Sequence, residues 1–222
     1  MVRKTGLVIL VLAAAFLIAR FYFIRIHEDK ILKEIISRLE ADSRIAEVLV
    51  TGVNYDEKRD KRYTTIKFLE YDAKGNPLQP RYFTFSGNII QFQSLVIRFD
   101  DIYIRSGDKL RGKSAYLFWK AFVLDGPNTQ ECEITKVYEV PDGYKLENKK
   151  DPFEEELWKK FWKYALDSME AKKLGIKNAQ IEAPGTVFIP GMLYTIKIEH
   201  DGGMRIDAST LPPILKGELI PK

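Results

Sequence analysis

Arg44 to Tyr55, RIAEVLVTGVNY, and Arg62 to Tyr71, RYTTIKFLEY, are the two segments that decide the fold. Both are rich in apolar and β-branched residues, and the residues between them, DEKRDK, are all charged. Extended runs joined by a short charged tip read as an antiparallel hairpin, because β-branched side chains suit a pleated, half-buried surface while the tip stays in water.

The extended pattern continues toward the C-terminus. The turn Asp72-Ala-Lys-Gly-Asn-Pro77 leads into Arg81 to Phe85. Ile90 and Phe92 are followed by Leu95, Ile97 and Phe99, so the apolar phase slips by one at Ser94 and predicts a bulge or bend. Ser114 to Leu124, SAYLFWKAFVL, is apolar on both parities and reads as a central strand covered on both faces. Helical spacing also fits Ala115, Phe118, Trp119 and Phe122, but the aromatic and β-branched content favours a strand. Thr135 to Val140 and Tyr144 to Glu147, around Pro141-Asp142-Gly143, predict a further hairpin. Met192 to His200 and Met204 to Ala208, around Asp201-Gly202-Gly203, predict the last one. In it Tyr194, Ile196 and Ile198 alternate with Thr195, Lys197 and Glu199, as in a strand with one face buried. Pro212-Pro213 opens an extended tail.

One helix interrupts the strands, predicted over Asp151 to Leu174. Asp151 suits the cap and Pro152 the first helical position. Glu154, Glu155 and Glu156 complement the positive end, Lys172 and Lys173 the negative end, and Gly175 stops it. Phe153, Leu157, Trp158, Phe161, Trp162, Ala165 and Met169 form its apolar face. Trp158, Phe161 and Trp162 with Lys159 make a possible interaction surface for a membrane or partner; packing against the sheet is the competing reading.

Toward the N-terminus, Ile31, Leu32, Ile35, Ile36 and Leu39 line one face of a helix within residues 25–43, too short a repeat to require a coiled coil but able to support a homodimer. Before it, Gly6 to Ile24, GLVILVLAAAFLIARFYFI, is apolar except for Arg20. About 20 apolar residues match the ~30 Å hydrocarbon core of a bilayer, so we read a retained transmembrane anchor. Bulky Phe16, Leu17 and Ile18 after Ala13-Ala14-Ala15 argue against cleavage. Positive residues flank both ends; the short basic tail favours an extracytoplasmic domain on a single-pass membrane protein.

The resulting expectation is an α+β protein: a transmembrane anchor (1–24), a juxtamembrane helix (25–43), one mostly antiparallel β-sheet domain packed by a long amphipathic helix (44–210) and an extended tail (211–222). The 222-residue chain carries a net charge of +4. Arg3, Lys4 and Arg20 belong to the anchor, and removing them from the 35 basic residues leaves 32 against 31 acidic ones. That balance speaks against nucleic acid as partner. Cys132 is the only cysteine, so neither an internal disulfide nor a thiolate zinc cluster forms, and no Asn-x-Ser/Thr sequon occurs.

Chemistry-bearing residues are few. His27 sits among charges and His200 at a strand end beside Asp201, neither with ligand spacing. Asp100-Asp101 lacks the following pattern of a calcium loop, and Glu131 and Glu133 discourage a thiolate at Cys132. Gly107 to Ser114, GDKLRGKS, matches a phosphate-loop pattern, but that pattern requires a helix after it, where a strand is predicted. We therefore expect no catalytic, cofactor or metal site. The expected function is a non-enzymatic envelope protein presenting a β-rich domain for protein–protein contact in an assembly or scaffold. The alternative is a module binding lipid or a small apolar ligand beside the membrane; nucleotide binding by Gly107 to Ser114 ranks below both.

Overall fold

The computed structural model describes residues 12–24, 26–27, 44–72, 74–98, 114–145, 151–167, 169, 179–199 and 203–213. In chain order these form helix α1 (12–24), strands β1 (Arg44–Asp56), β2 (Lys61–Glu70), β3 (Arg81–Ser86), β4 (Ile89–Arg98), β5 (Ser114–Asp125) and β6 (Asn128–Glu133), helix α2 (Pro152–Leu166), and strands β7 (Ala179–Glu182), β8 (Gly185–Val187), β9 (Met192–Ile198) and β10 (Met204–Thr210). The strands build two antiparallel sheets. The first has the order β10-β9-β1-β2-β3; the second has β6-β5-β4, with β7 and β8 both pairing along β4.

β1 and β2 form the hairpin that the charged tip predicts, with Asp56 opposite Lys61 and a bulge between Val50 and Gly52. β5 turns into β6 through Gly126-Pro127, where Gly126 takes φ 59, a conformation that suits a two-residue hairpin turn and favours glycine.

The expected single sheet under a helix is instead two sheets facing each other. Ala46, Val48 and Ile66 of the first share a buried cluster with Ile90, Phe92, Val96 and Phe118 of the second. Phe68 of β2 stacks on Phe92 of β4 at 5.6 Å and meets Phe118 of β5 edge-on at 5.7 Å, so aromatic contacts cross the interlayer space. Such pairs add to the area that the rings remove from water. Alternation along a strand reveals which face is covered but not what covers it, which is why one sheet and two sheets look alike in sequence.

The bulge predicted at Ser94 is present as a register shift between Gln93 and Ser94, but the apolar slip itself has another origin. In β4, Ile90, Phe92, Ser94 and Val96 keep one parity and are all buried. Leu95, on the opposite parity and paired with Leu117 of β5, is fully buried outside the interlayer cluster. The second face is thus covered locally, and apolar residues appear on both parities without a change of phase. The bulge at that level lies in β5, where Trp119 is the extra residue between Phe118 (opposite Ser94) and Lys120 (opposite Gln93).

Three further differences concern segments with weak patterns. Residues 134–140 are bends and turns, and Asp142–Tyr144 is a single 3-10 turn, so among the described residues no hairpin forms at Pro141, 146 and 147 lying outside them; Thr135 and Tyr144 instead bond to the edge of β5. β6, β7 and β8 are polar or short and carry no legible alternation. Helix α2 ends at Leu166, with Asp167 extended and its carboxylate accepting from the Met169 amide; Met169 is again helical, and 168 and 170–174 of the predicted helix lie outside the described residues. A short acidic side chain that bonds its neighbouring backbone competes with helix continuation.

Helix α1, residues 12–24, is about 20 Å long at 1.5 Å per residue. Among the described residues no helix is long and apolar enough to cross a membrane. Residues 6–11 of the apolar run, and 25 and 28–43 of the juxtamembrane helix, lie outside the described residues.

Candidate functional site

The most informative region is the perimeter of the two sheets, where strands run out of partners. An unpaired edge exposes a row of N–H and C=O groups. At the seam between β3 and β6 the Gln130 side chain takes the place of a strand: its amide nitrogen donates to Thr84 O at 3.0 Å, and its oxygen accepts from the Ser86 amide at 2.8 Å. The Ser86 hydroxyl donates to Asp125 at 3.0 Å, and Lys61 pairs with the same carboxylate. These two partners hold the Asp125 carboxyl below its ordinary pKa, Lys61 being the larger influence. At the other end of β3, Arg81 donates to Ile134 O and pairs with Asp142.

β6 covers only the second half of β5, from Lys120 on. Over the first half, hydroxyls substitute for a neighbour. Thr135 donates its hydroxyl to Phe118 O at 2.6 Å, and the Tyr144 hydroxyl both accepts from the Tyr116 amide at 3.1 Å and donates to Tyr116 O at 3.2 Å. Beside β8, the Tyr194 hydroxyl accepts from the Ile189 amide and donates to Val187 O, tying the second sheet to β9 of the first. Side-chain amides and hydroxyls can satisfy both a donor and an acceptor, which makes them suited to this role.

β10 differs. It pairs with β9 on one side, and no strand among the described residues pairs with the other. The flanking bonds, Glu199 N to Gly203 O and Leu211 N to Gly191 O, set which residues bond inward. In an antiparallel ladder these alternate, so Met204, Ile206, Ala208 and Thr210 direct their amide and carbonyl groups outward. Met204 and Ile206 place their side chains on the core. Arg205 and Asp207 lie on the opposite, exposed face, 2.9 Å apart, and Arg205 also reaches Glu199 at 3.4 Å.

A second feature is a groove of about 750 Å³ lined by Tyr138, Lys159, Lys163, Leu166, Asp167 and Met169. Tyr138, Leu166 and Met169 are exposed there, and Tyr138 has φ 66, a left-handed backbone that non-glycine residues seldom adopt. Of the four residues read as an interaction surface, Trp158, Phe161 and Trp162 are buried and only Lys159 is exposed. Trp158 packs on Tyr144 at 5.2 Å and on Phe161 at 4.6 Å, and the Trp162 indole donates to Glu139 O at 2.8 Å. The aromatic face of α2 therefore serves as cover, as burial of large rings favours.

Asp151 caps α2, accepting from the Phe153 and Glu154 amides, and His27 bonds its other oxygen at 2.8 Å. Burial alone would raise the Asp151 carboxyl, but His27 and the two amides together bring it below the usual carboxylate range. Burial pushes the Cys132 thiol up, away from a reactive thiolate. Tyr71, partly buried and donating to Glu47 at 2.8 Å, has its pKa pushed up to about 12, chiefly by desolvation.

His200, Asp100, Asp101 and residues 107–113 lie outside the described residues. Ser114, the last residue of the phosphate-loop pattern, begins strand β5 and not the helix that such a loop needs. Among the described residues no group of three or more His, Cys, Asp or Glu side chains is arranged to hold a metal ion. Comparison with protein-family models, with curated proteins and with solved structures finds no match for the chain.

Proposed function

We propose that this chain is a single-pass, membrane-anchored envelope protein, not an enzyme, whose two-sheet domain faces outward from the cytoplasm and makes protein–protein contacts in an assembly. The observation that carries the reading is the outer edge of β10, which has no partner among the described residues while Gln130, Thr135, Tyr144 and Tyr194 occupy other gaps in the ladders. An open edge is a means of recognition, since a partner strand gains ladder bonds along its length. The tether is supported by α1, whose large apolar residues Phe16, Leu17, Ile18, Phe21 and Phe23 are each more than 60% exposed, as suits lipid contact.

The experiment places a photo-crosslinking residue at Ala208 or, as control, at Lys159 of the full-length chain in its membrane. Protein adducts from position 208 and few from 159 support the reading; adducts from neither position overturn it. Carbonate extraction and protease access to a C-terminal tag in spheroplasts test the anchor and its orientation.

The groove beside α2 favours a second reading, a module that binds lipid or a small apolar ligand. Its exposed Tyr138, Leu166 and Met169 would contact an apolar chain, and Lys159 would hold an anionic end. Lipid recovered by mass spectrometry after mild purification, and lost in Leu166→Asp, would favour it over the first.

A further inference from the structure

From the register of β10 we infer that the partner at this edge is a second copy of the same chain, paired antiparallel about a two-fold axis through Ile206. The inference rests on the edge-contact reading above and deepens it by naming the occupant.

The outward backbone groups of β10 belong to residues of even number, Met204 to Thr210. A two-fold antiparallel pairing must match these with one another, so its axis passes through a residue position and not between two. Centred on Ile206, the pairing sets Met204 opposite Ala208 of the second copy and Ile206 opposite Ile206, giving about six ladder hydrogen bonds. It also sets Arg205 opposite Asp207 of the second copy, and Asp207 opposite its Arg205. Opposite charges thus face each other twice, at the non-hydrogen-bonded positions where side chains approach most closely.

The neighbouring registers lack this property. An axis through Arg205 puts Arg205 against Arg205, and an axis through Asp207 puts Asp207 against Asp207; like charges directly opposite destabilise a sheet. An axis through Ala208 leaves Arg205 and Asp207 with no opposite charge across the interface. The pattern Arg-Ile-Asp over 205–207 is therefore self-complementary in one register alone among the four. The inner face agrees, because Met204 and Ile206, already on the core, would extend an apolar surface over Ala208 of the second copy, which is exposed in the single chain. Arg205 holds Asp207 and Glu199 within its own chain, so pairing exchanges one exposed ion pair for another at little net cost. Charges on an edge usually discourage indiscriminate pairing, and here the same charges select a copy of themselves.

The test co-expresses two differently tagged full-length chains, Arg205→Cys and Asp207→Cys, in the membrane and oxidises them there. In the inferred register the two new cysteines are directly opposite, and the remaining Arg205 and Asp207 still face each other. A mixed disulfide in about tenfold excess over either self-linked product is expected, because disulfides form only between closely placed Cα atoms. Wild type, with only Cys132, gives the baseline. Ala208→Pro in both chains should abolish the mixed product: it removes an outward N–H while leaving the β9 ladder intact, and thermal melting confirms that the fold is retained. Equal mixed and self-linked yields, or a mixed product that survives Ala208→Pro, would overturn the inference. If instead the Arg205→Cys chain links to a different protein, the second copy is excluded and the edge-contact reading stands; if it links to nothing, both fall.

Discussion

The seam between β3 and β6 and the outer edge of β10 present the same backbone problem and resolve it differently. At the seam, Gln130 spans the gap to Thr84 and Ser86, and Arg81 and Lys61 reinforce it with charge-assisted bonds. At β10 the outward groups of Met204 to Thr210 meet no strand among the described residues. At the seam Gln130, Ser86 and Arg81 are half-buried, where an unsatisfied amide is costly, whereas Ala208, Ser209 and Thr210 of β10 are exposed among the described residues, where water satisfies amides at little cost. A closed gap is therefore a matter of stability, and an open one leaves the edge free for a partner.

Four measurements test that contrast. The largest effect is expected at Tyr144, whose hydroxyl closes the buried first half of β5: Tyr144→Phe leaves the Tyr116 amide and carbonyl without it and should cost about 3 kcal/mol in urea unfolding. Gln130→Ala opens the β3–β6 seam where water can enter, so about 1.5 kcal/mol is expected by the same assay. Asp151→Ala removes the α2 cap for about 1 kcal/mol. Its pH dependence has a definite sign. Because the Asp151 carboxyl is lowered in the folded chain, its contribution is full above the unfolded value of about 3.9 and is lost as pH falls through the lower folded value. A wild-type minus Asp151→Ala stability difference that grew on acidification would contradict this. The smallest effect belongs to the open edge: in the monomer Ala208→Pro should change unfolding free energy by less than about 0.5 kcal/mol, because the N–H that it removes meets no strand among the described residues. A loss as large as that of Gln130→Ala that does not change with protein concentration would mean that the β10 edge is occupied within one molecule, whereas one that fades on dilution would mean that a second copy covers it.

How far the sequence discloses this arrangement varies by element. β1, β2, β5 and β9 carry ten or so residues of regular pattern or a clear alternation, and each is a strand at nearly the bounds read from sequence. The start of α2 is legible because Asp151 and Pro152 act through bonds within one turn. β6, NTQECE, is not legible: its residues serve the seam by what Gln130 reaches across 44 to 46 positions of sequence. Tyr144 looks like a strand residue in a hairpin, and its hydroxyl in fact stands in for a strand. Trp158 and Trp162 fit cover better than an exposed surface because a sheet needs a cover, but helical spacing defines a face without naming its neighbour, and burial places them in cover.

The strand-rich class, the hairpin of β1 and β2, the capped start of α2, the near balance of charge outside the N-terminal run and the lack of any disulfide within the chain are all written in the residues, because each follows from local period, local bonding or composition. The burial of Leu117 opposite Phe118 was legible too, from apolar residues on both parities of β5, whereas it took the folded arrangement to show that there are two sheets instead of one and that polar side chains close one edge while β10 stays open among the described residues. Those outcomes depend on contacts between residues far apart in the chain, and burial of a face carries no mark of what buries it.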